Sequence, residues 1–185
     1  MSRIGELPVQ IPNGVTVQKT EEKIVVNGPK GTLEFNLQFG VSIEVNDTLV
    51  LVKRKNDQKK NMALHGLFRS QIANMVVGVT NGWSKNLELV GVGFRAQGGG
   101  DKITLNVGFS HPVEVQAPAG ILFEVKDNTK ITVSGIDKYL VGQIAANVRK
   151  IKPPDVYKGK GIRYEGEYIR RKAGKAGKVG IGGAK

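Results

Sequence analysis

A chain of 185 residues, 39% hydrophobic but only 6% aromatic, can bury a core built mostly from aliphatic side chains, in one larger domain or two small ones. It has no cysteine, which excludes disulfides, thiolate metal sites and cysteine nucleophiles. Its net charge of +12 attracts phosphate, anionic lipid or an acidic protein without choosing among them.

No apolar run approaches the ~18 residues that span a bilayer, and the opening MSRIGELPVQIP lacks the apolar core of a secretory signal. The chain therefore reads as soluble and unexported. Residues 158–185 carry nine Lys or Arg against Glu165 and Glu167, which is +7 of the +12, so the partner is expected at that end.

In chain order, the first strong signal is the alternation of Leu33, Phe35, Leu37 and Phe39, followed by that of Val41, Ile43 and Val45. Period two with one apolar face predicts half-buried strands, and residues 50–52 continue as another. Leu64, Phe68, Ile72, Met75 and Val76 then fall on one face of a helix that Gly78 can end. The stretch TNGWSKN places a junction at residues 81–86, and Trp83 there suits packing between two units better than base stacking. Beyond it, strands are expected through Ile103, Leu105, Val107 and Phe109, then Val113 and Val115, Ile121, Phe123 and Val125, and Ile131 and Val133. A second helix should begin near Asp137, a good N-cap residue, and run toward Lys150 before Pro153 and Pro154 stop it.

These two series are one pattern written twice. LEFNLQF at 33–39 resembles ITLNVGF at 103–109, with Asn36 and Phe39 matching Asn106 and Phe109, and IEVND at 43–47 resembles FEVKD at 123–127. In the stretches that hold the two helices, Leu64, Phe68, Gln71, Ile72, Ala73 and Val76 align with Ile136, Leu140, Gln143, Ile144, Ala145 and Val148. The expected fold class is α+β, with two duplicated domains, each an antiparallel-rich sheet packed by one helix. The expected limits are 1–82, 83–157 and a basic Gly-rich extension over 158–185.

Three catalytic motifs are weak. Gly91, Gly93 and Ala96 have dinucleotide-turn spacing, but QGGGDKITLNV follows with a glycine turn and a strand, where a phosphate-binding helix N-terminus is required. His65 and His111 have neither cysteine nor paired carboxylates at ligand spacing, and Ser110 beside His111 has no orienting acid. Glu165 and Glu167 lie among Lys and Arg and suit charge balancing. No cofactor or small-molecule substrate is implied.

The basic end suits RNA. Glycines at 159, 161, 166, 174, 177, 180, 182 and 183 oppose a helix and leave N–H groups open to close approach. The Lys and Arg between them neutralise phosphates, and Tyr157, Tyr164 and Tyr168 can stack on bases. Folded RNA, with irregular grooves and 2′-hydroxyls, suits such a segment better than DNA. A peripheral membrane protein would pair its cations with an apolar helix face, yet Ile162, Ile169, Val179 and Ile181 are isolated. An RNA-modifying enzyme would show a polar constellation that is not evident.

PDVYKGKGI at 154–162 resembles the motif of the bacterial-type family of large-subunit (50S) ribosomal protein six. SRIGELPVQIPNGV, NGPKG and GVGFRA resemble that family's other stretches, so the likeness covers nearly the whole chain. The departures are the long ending KAGKAGKVGIGGAK and Phe94 in place of Tyr. The resemblance implies a structural, non-catalytic protein of the cytoplasmic ribosome, or of the plastid stroma if organelle-encoded. Its partners would be large-subunit rRNA, bound mainly through the C-terminal domain, and neighbouring ribosomal proteins, near the stalk base, the factor-binding region and the subunit interface. Tyr157, Lys158, Gly159, Lys160 and Gly161 would then form a turn held against rRNA, anchored by Arg163, Arg170, Arg171, Lys172, Lys175 and Lys178.

Overall fold

The computed structural model describes residues 4–20, 23–37, 40–46, 48–172 and 174. The first half contains β1 (Val9–Gln10), β2 (Thr16–Lys19), β3 (Lys23–Gly28), β4 (Gly31–Asn36), β5 (Val41–Val45), β6 (Leu49–Arg54) and the helix α1 (Lys59–Thr80). Its strands form two antiparallel sheets, ordered β2-β3-β4 and β1-β6-β5, and α1 packs against both. Period two explains the fit: Ile24 and Val26 of β3, Ile43 of β5, and Val50 and Val52 of β6 are all buried. From the helix, Phe68, Ile72, Met75, Val76 and Val79 close the core, with the Phe68 ring edge-on to Phe35 at 5.1 Å. Phe39 and Asp47, two positions of the expected repeat, lie outside the described residues.

The second half contains β7 (Trp83–Val90), β8 (Arg95–Gly99), β9 (Lys102–Asn106), β10 (Val113–Gln116), β11 (Ile121–Lys126), β12 (Lys130–Gly135), α2 (Lys138–Ile151) and β13 (Gly161–Tyr164). Its sheets are β10-β9-β8 and β11-β12-β7-β13, again antiparallel throughout. Between β11 and β12 the turn uses Asp127 and Asn128, both at φ 54°, the left-handed conformation that these two residue types tolerate best after glycine. Helix α2 starts where Asp137 accepts the Tyr139 N–H at 2.8 Å. A second, separate core collects Leu87, Leu89, Ile103, Leu105, Val107, Phe123, Ile131, Val133, Val141, Ala145, Val148 and Ile162.

The α+β duplication stands, while several details of the fold depart from the sequence reading. Each half has two small sheets where one was expected. Helix α1 continues past Gly78 to Thr80, and the turn that ends it is made by Gly82 (φ 78°), whose N–H reaches the Gly78 carbonyl at 3.0 Å. Gly78 serves a different purpose: a Cβ there would lie 2.1 Å from the Ile136 carbonyl oxygen. The junction is shorter than 81–86, because β7 already begins at Trp83. In α2 the fully buried stripe is Val141, Ala145 and Val148, with Leu140 and Ile144 only flanking it. Finally, residues 161–164 belong to the second sheet, so a separate extension starting at 158 cuts through the folded unit.

Trp83 bridges the halves as expected. Its indole N–H donates to the Asn74 carbonyl of α1 at 3.1 Å, its ring packs on the second core, and the Lys138 ammonium sits 4.5 Å from its centroid.

Candidate nucleic-acid interface

After α2, Pro153 and Pro154 force the chain out of the helix, and Asp155 organises the turn over residues 155–160. Its carboxylate accepts the Lys158 N–H at 2.8 Å, its carbonyl accepts the Gly159 N–H at 2.8 Å, and its own N–H donates to the Lys160 carbonyl at 2.8 Å. An aspartate closing a turn on the backbone ahead of it is the usual reason for Asp at such a position. The Lys158 N–H, chief among these donors, holds the Asp155 carboxyl below its ordinary range.

Of the two glycines of YKGKGI, Gly159 lies inside this turn and Gly161 follows it as the first residue of β13. Gly159 is buried at φ 71°, and a Cβ there would stand 3.1 Å from Arg171 Nε. Gly161 is also buried, and a Cβ there would press to 2.6 Å from the Pro153 carbonyl oxygen. The reading that glycine leaves backbone open to a partner is therefore corrected at these two positions: they let the chain approach itself. Ile162 then donates to the Lys152 carbonyl at 2.8 Å and enters the core as β13 pairs with β7.

Beyond β13 the chain folds back beside the turn. Glu167 N–H reaches the Tyr164 carbonyl at 3.0 Å, and the Lys172 N–H donates to the Val156 carbonyl at 2.9 Å. A cleft of about 370 Å³ lies between the two segments, lined by Gly159, Arg163, Glu167, Tyr168, Ile169 and Arg171. Tyr157, Lys158, Lys160, Tyr168, Arg170, Arg171 and Lys172 are exposed around it.

The acidic groups nearby are already used. Arg163 donates Nε and Nη2 to Glu88 Oε2, its cross-strand neighbour, at 3.2 and 2.9 Å. Arg149 grips Glu167 through two bonds, at 3.2 and 2.6 Å. That contact is the main cause of the lowered Glu167 pKa, and the Tyr164 N–H adds to it. Glu165 accepts from the Asn86 side chain at 2.7 Å. Charge balancing thus describes Glu165 and Glu167, and Arg163 is committed to the sheet. By contrast, none of Lys158, Lys160, Arg170, Arg171 and Lys172 has an ion-pair partner among the described residues. Lys175 and Lys178 lie outside the described residues.

Sequence reasoning passed over Asp155, although an Asp three residues before Lys-Gly is an available turn signal, and over Lys152, whose cation sits just before the prolines. The weak motifs resolve simply. Gly91 and Gly93 lead into strand β8. His65 is buried, with Nε2 2.8 Å from the Val52 carbonyl oxygen. Among the described residues no group of three or more His, Asp or Glu is placed to hold a metal, and no helix is long and apolar enough to cross a membrane.

A profile of the family described as Ribosomal protein L6 matches residues 11–82 and again 90–165. Most residues of the two cores fall one set in each match, with Val9, Leu87 and Leu89 just outside. The chain is 56% identical over 178 residues to the large ribosomal subunit protein uL6 of Halalkalibacterium halodurans, covering 96% of this chain and 100% of that protein. It is 57% identical over 179 residues to the uL6 protein of Clostridium botulinum strain Langeland, at 96% and 99% coverage. The uL6 protein of Syntrophomonas wolfei is 56% identical over 177 residues, again at 96% and 99%. On the duplicated architecture and on both profile matches, the chain belongs to the ribosomal protein L6 family.

Proposed function

We propose that this protein is a structural constituent of the large ribosomal subunit that binds its rRNA chiefly through the second half, on the surface carrying Tyr157, Lys158, Lys160, Arg170, Arg171 and Lys172. Membership of a ribosomal protein family makes it a structural protein and not an enzyme. The observation that carries the RNA reading is the set of five exposed cations with no ion pair among the described residues, gathered beside the turn closed by Asp155 while Arg163 and Arg149 neutralise the local acids. Unpaired cations meet phosphate without first breaking an ion pair, and each contact releases counterions. Gly159 and Gly161 act here by shaping the turn and Arg163 by fixing its strand, and Lys175 and Lys178 add positive charge to the same end of the sequence.

The units run over 1–82 and from 83 onward, with the second continuing through β13 before the basic ending. Family membership and bacterial relatives support a place in the ribosome of the cytoplasm, with neighbouring ribosomal proteins as further partners; the plastid stroma is the alternative if the protein is organelle-encoded. The position that the resemblance implies, near the stalk base, the factor-binding region and the subunit interface, is part of the same proposal. The first half would reach toward neighbouring components. Sedimentation of cell extract through a sucrose gradient tests the assignment: the protein should travel with the large subunit in low salt, and recovery at the top of the gradient would contradict it.

A further inference from the structure

The end of β7 lies against the Asp155 turn, since Val90 pairs with Gly161. Past Val90 the chain makes a tight loop in which Val92 is 90% exposed. Phe94 plugs this loop: a Cβ at Gly91 would come within 2.9 Å of its ring, and one at Gly108 within 3.2 Å. The loop over 91–94 and the turn after β9 are thus held together through one ring.

Right after Gly108 the pattern of the strand fails. Val107 is fully buried, but Phe109, expected to continue the alternation, is 44% exposed. Its ring lies nearly parallel to that of the exposed His111, with centroids 6.4 Å apart and planes at 21°. The Lys152 ammonium is 4.8 Å from the Phe109 centroid. Lys152 is also the residue whose carbonyl receives the Ile162 N–H, so this cation joins the two-ring stack to the basic turn. An apolar ring left in water, a second ring stacked on it, and a cation alongside form a combination that neither core packing nor the Asp155 turn requires.

The geometry points to Phe109 and His111 as a platform on which an unpaired nucleobase of the bound rRNA stacks, with Lys152 meeting the phosphate next to that base. The inference rests on the rRNA-binding reading and adds a second kind of contact to it. The basic turn supplies charge, which is indifferent to base identity, while a stack of rings requires a base released from its own helix. Single-stranded loops and bulges of RNA offer such bases. The Lys152 cation beside the rings, on a chain of net charge +12, favours an anionic partner, and the rings favour one that carries bases.

The test uses the full chain, large-subunit rRNA, and inorganic polyphosphate as a polyanion without bases. Phe109→Leu keeps apolar bulk but removes the ring, and His111→Ala removes an exposed ring; thermal melting verifies folding. The double variant should bind rRNA about ten-fold more weakly, within the range of one lost base stack. Its polyphosphate affinity and the salt dependence of its rRNA binding should be unchanged. If the double variant does not fold, His111→Ala alone should still weaken rRNA binding several-fold and leave polyphosphate untouched. Unchanged rRNA affinity in a folded variant overturns the inference, and so does an equal loss for both polyanions. Failure of the wild-type protein to bind rRNA would overturn the rRNA-binding reading itself, and the platform with it.

Discussion

Replacing Gly78 by Ala should destabilise the protein, although Ala is the better helix residue by about 1 kcal/mol. The added Cβ would lie 2.1 Å from the Ile136 carbonyl oxygen and 3.2 Å from Trp83 Nε1. Close C–H···O contacts have C···O distances of roughly 3.3 Å, so α1 and the backbone before α2 must part by about 1 Å. The obstacle is main chain and has no rotamer to change. Separation loosens the bonds that join the halves there, from Trp83 Nε1 to the Asn74 carbonyl at 3.1 Å and from Lys138 Nζ to Asn74 Oδ1 at 3.0 Å. Overpacking of this kind costs about 1–3 kcal/mol, and a contact this short belongs at the upper end. Set against the helix gain, the net loss should be about 1–2 kcal/mol. Gly142 in α2 is the control, because nothing lies within 4 Å of a Cβ built on it. Gly142→Ala should therefore stabilise by about 0.5–1 kcal/mol, and both variants restrict the unfolded chain alike. Urea unfolding of the two variants reads the difference directly. A higher midpoint for Gly78→Ala, matching that of Gly142→Ala, would refute the claim that α1 is pinned against the second half.

Gly161→Ala combines φ 148° with a Cβ 2.6 Å from the Pro153 carbonyl oxygen, so it should lower the melting temperature and weaken rRNA binding together; a loss of only one would separate the turn from the interface. Phe68→Ala should cost about 3–5 kcal/mol and Val148→Ala about 2 kcal/mol. Because these fully buried residues lie in different cores, the double variant should show the sum, and a departure beyond about 1 kcal/mol would indicate one fused core. Asp155 and Glu167 both have lowered pKa values, so their stabilising contacts are complete above the ordinary values of 3.8 and 4.5 and are lost as pH falls through the lower folded values. The Lys158 amide resonance should accordingly titrate with an inflection below 3.8, and an inflection at or above 3.8 would contradict the Asp155 turn.

The legible parts of this fold were those set by local periodicity. Leu64, Phe68 and Ile72 announced α1, and Asp137 announced the start of α2. Strand β3 was hidden because Val25 interrupts the alternation of Ile24 and Val26 with a third apolar residue, and β1, two residues long, has no period to read. In α2 two aliphatic stripes compete, and only the sheet beneath decides that Val141, Ala145 and Val148 turn inward over Leu140 and Ile144. Strand β13 sits in a basic, glycine-rich stretch with one buried side chain, Ile162, and its partner β7 is far away in sequence. The candidate site shows the same limit. Charge placed it at the right end of the chain, but which cations are free depends on partners such as Glu88 and Glu167, brought in by the sheet and by a turn after it. The need for glycine at 78 and 161 likewise comes from backbone of another element.

The central claim is that the exposed cations flanking the Asp155 turn contact rRNA phosphates. Equilibrium binding of the full chain to large-subunit rRNA, measured from low to moderate salt, tests it most directly when the wild type is compared with Lys158→Ala, Lys160→Ala, Arg170→Ala and Arg171→Ala combined. Four lost phosphate contacts at about 0.7–0.9 each should flatten the slope of log K against log salt by roughly 3–4, with the melting temperature preserved. A folded quadruple variant with the wild-type slope would contradict the account.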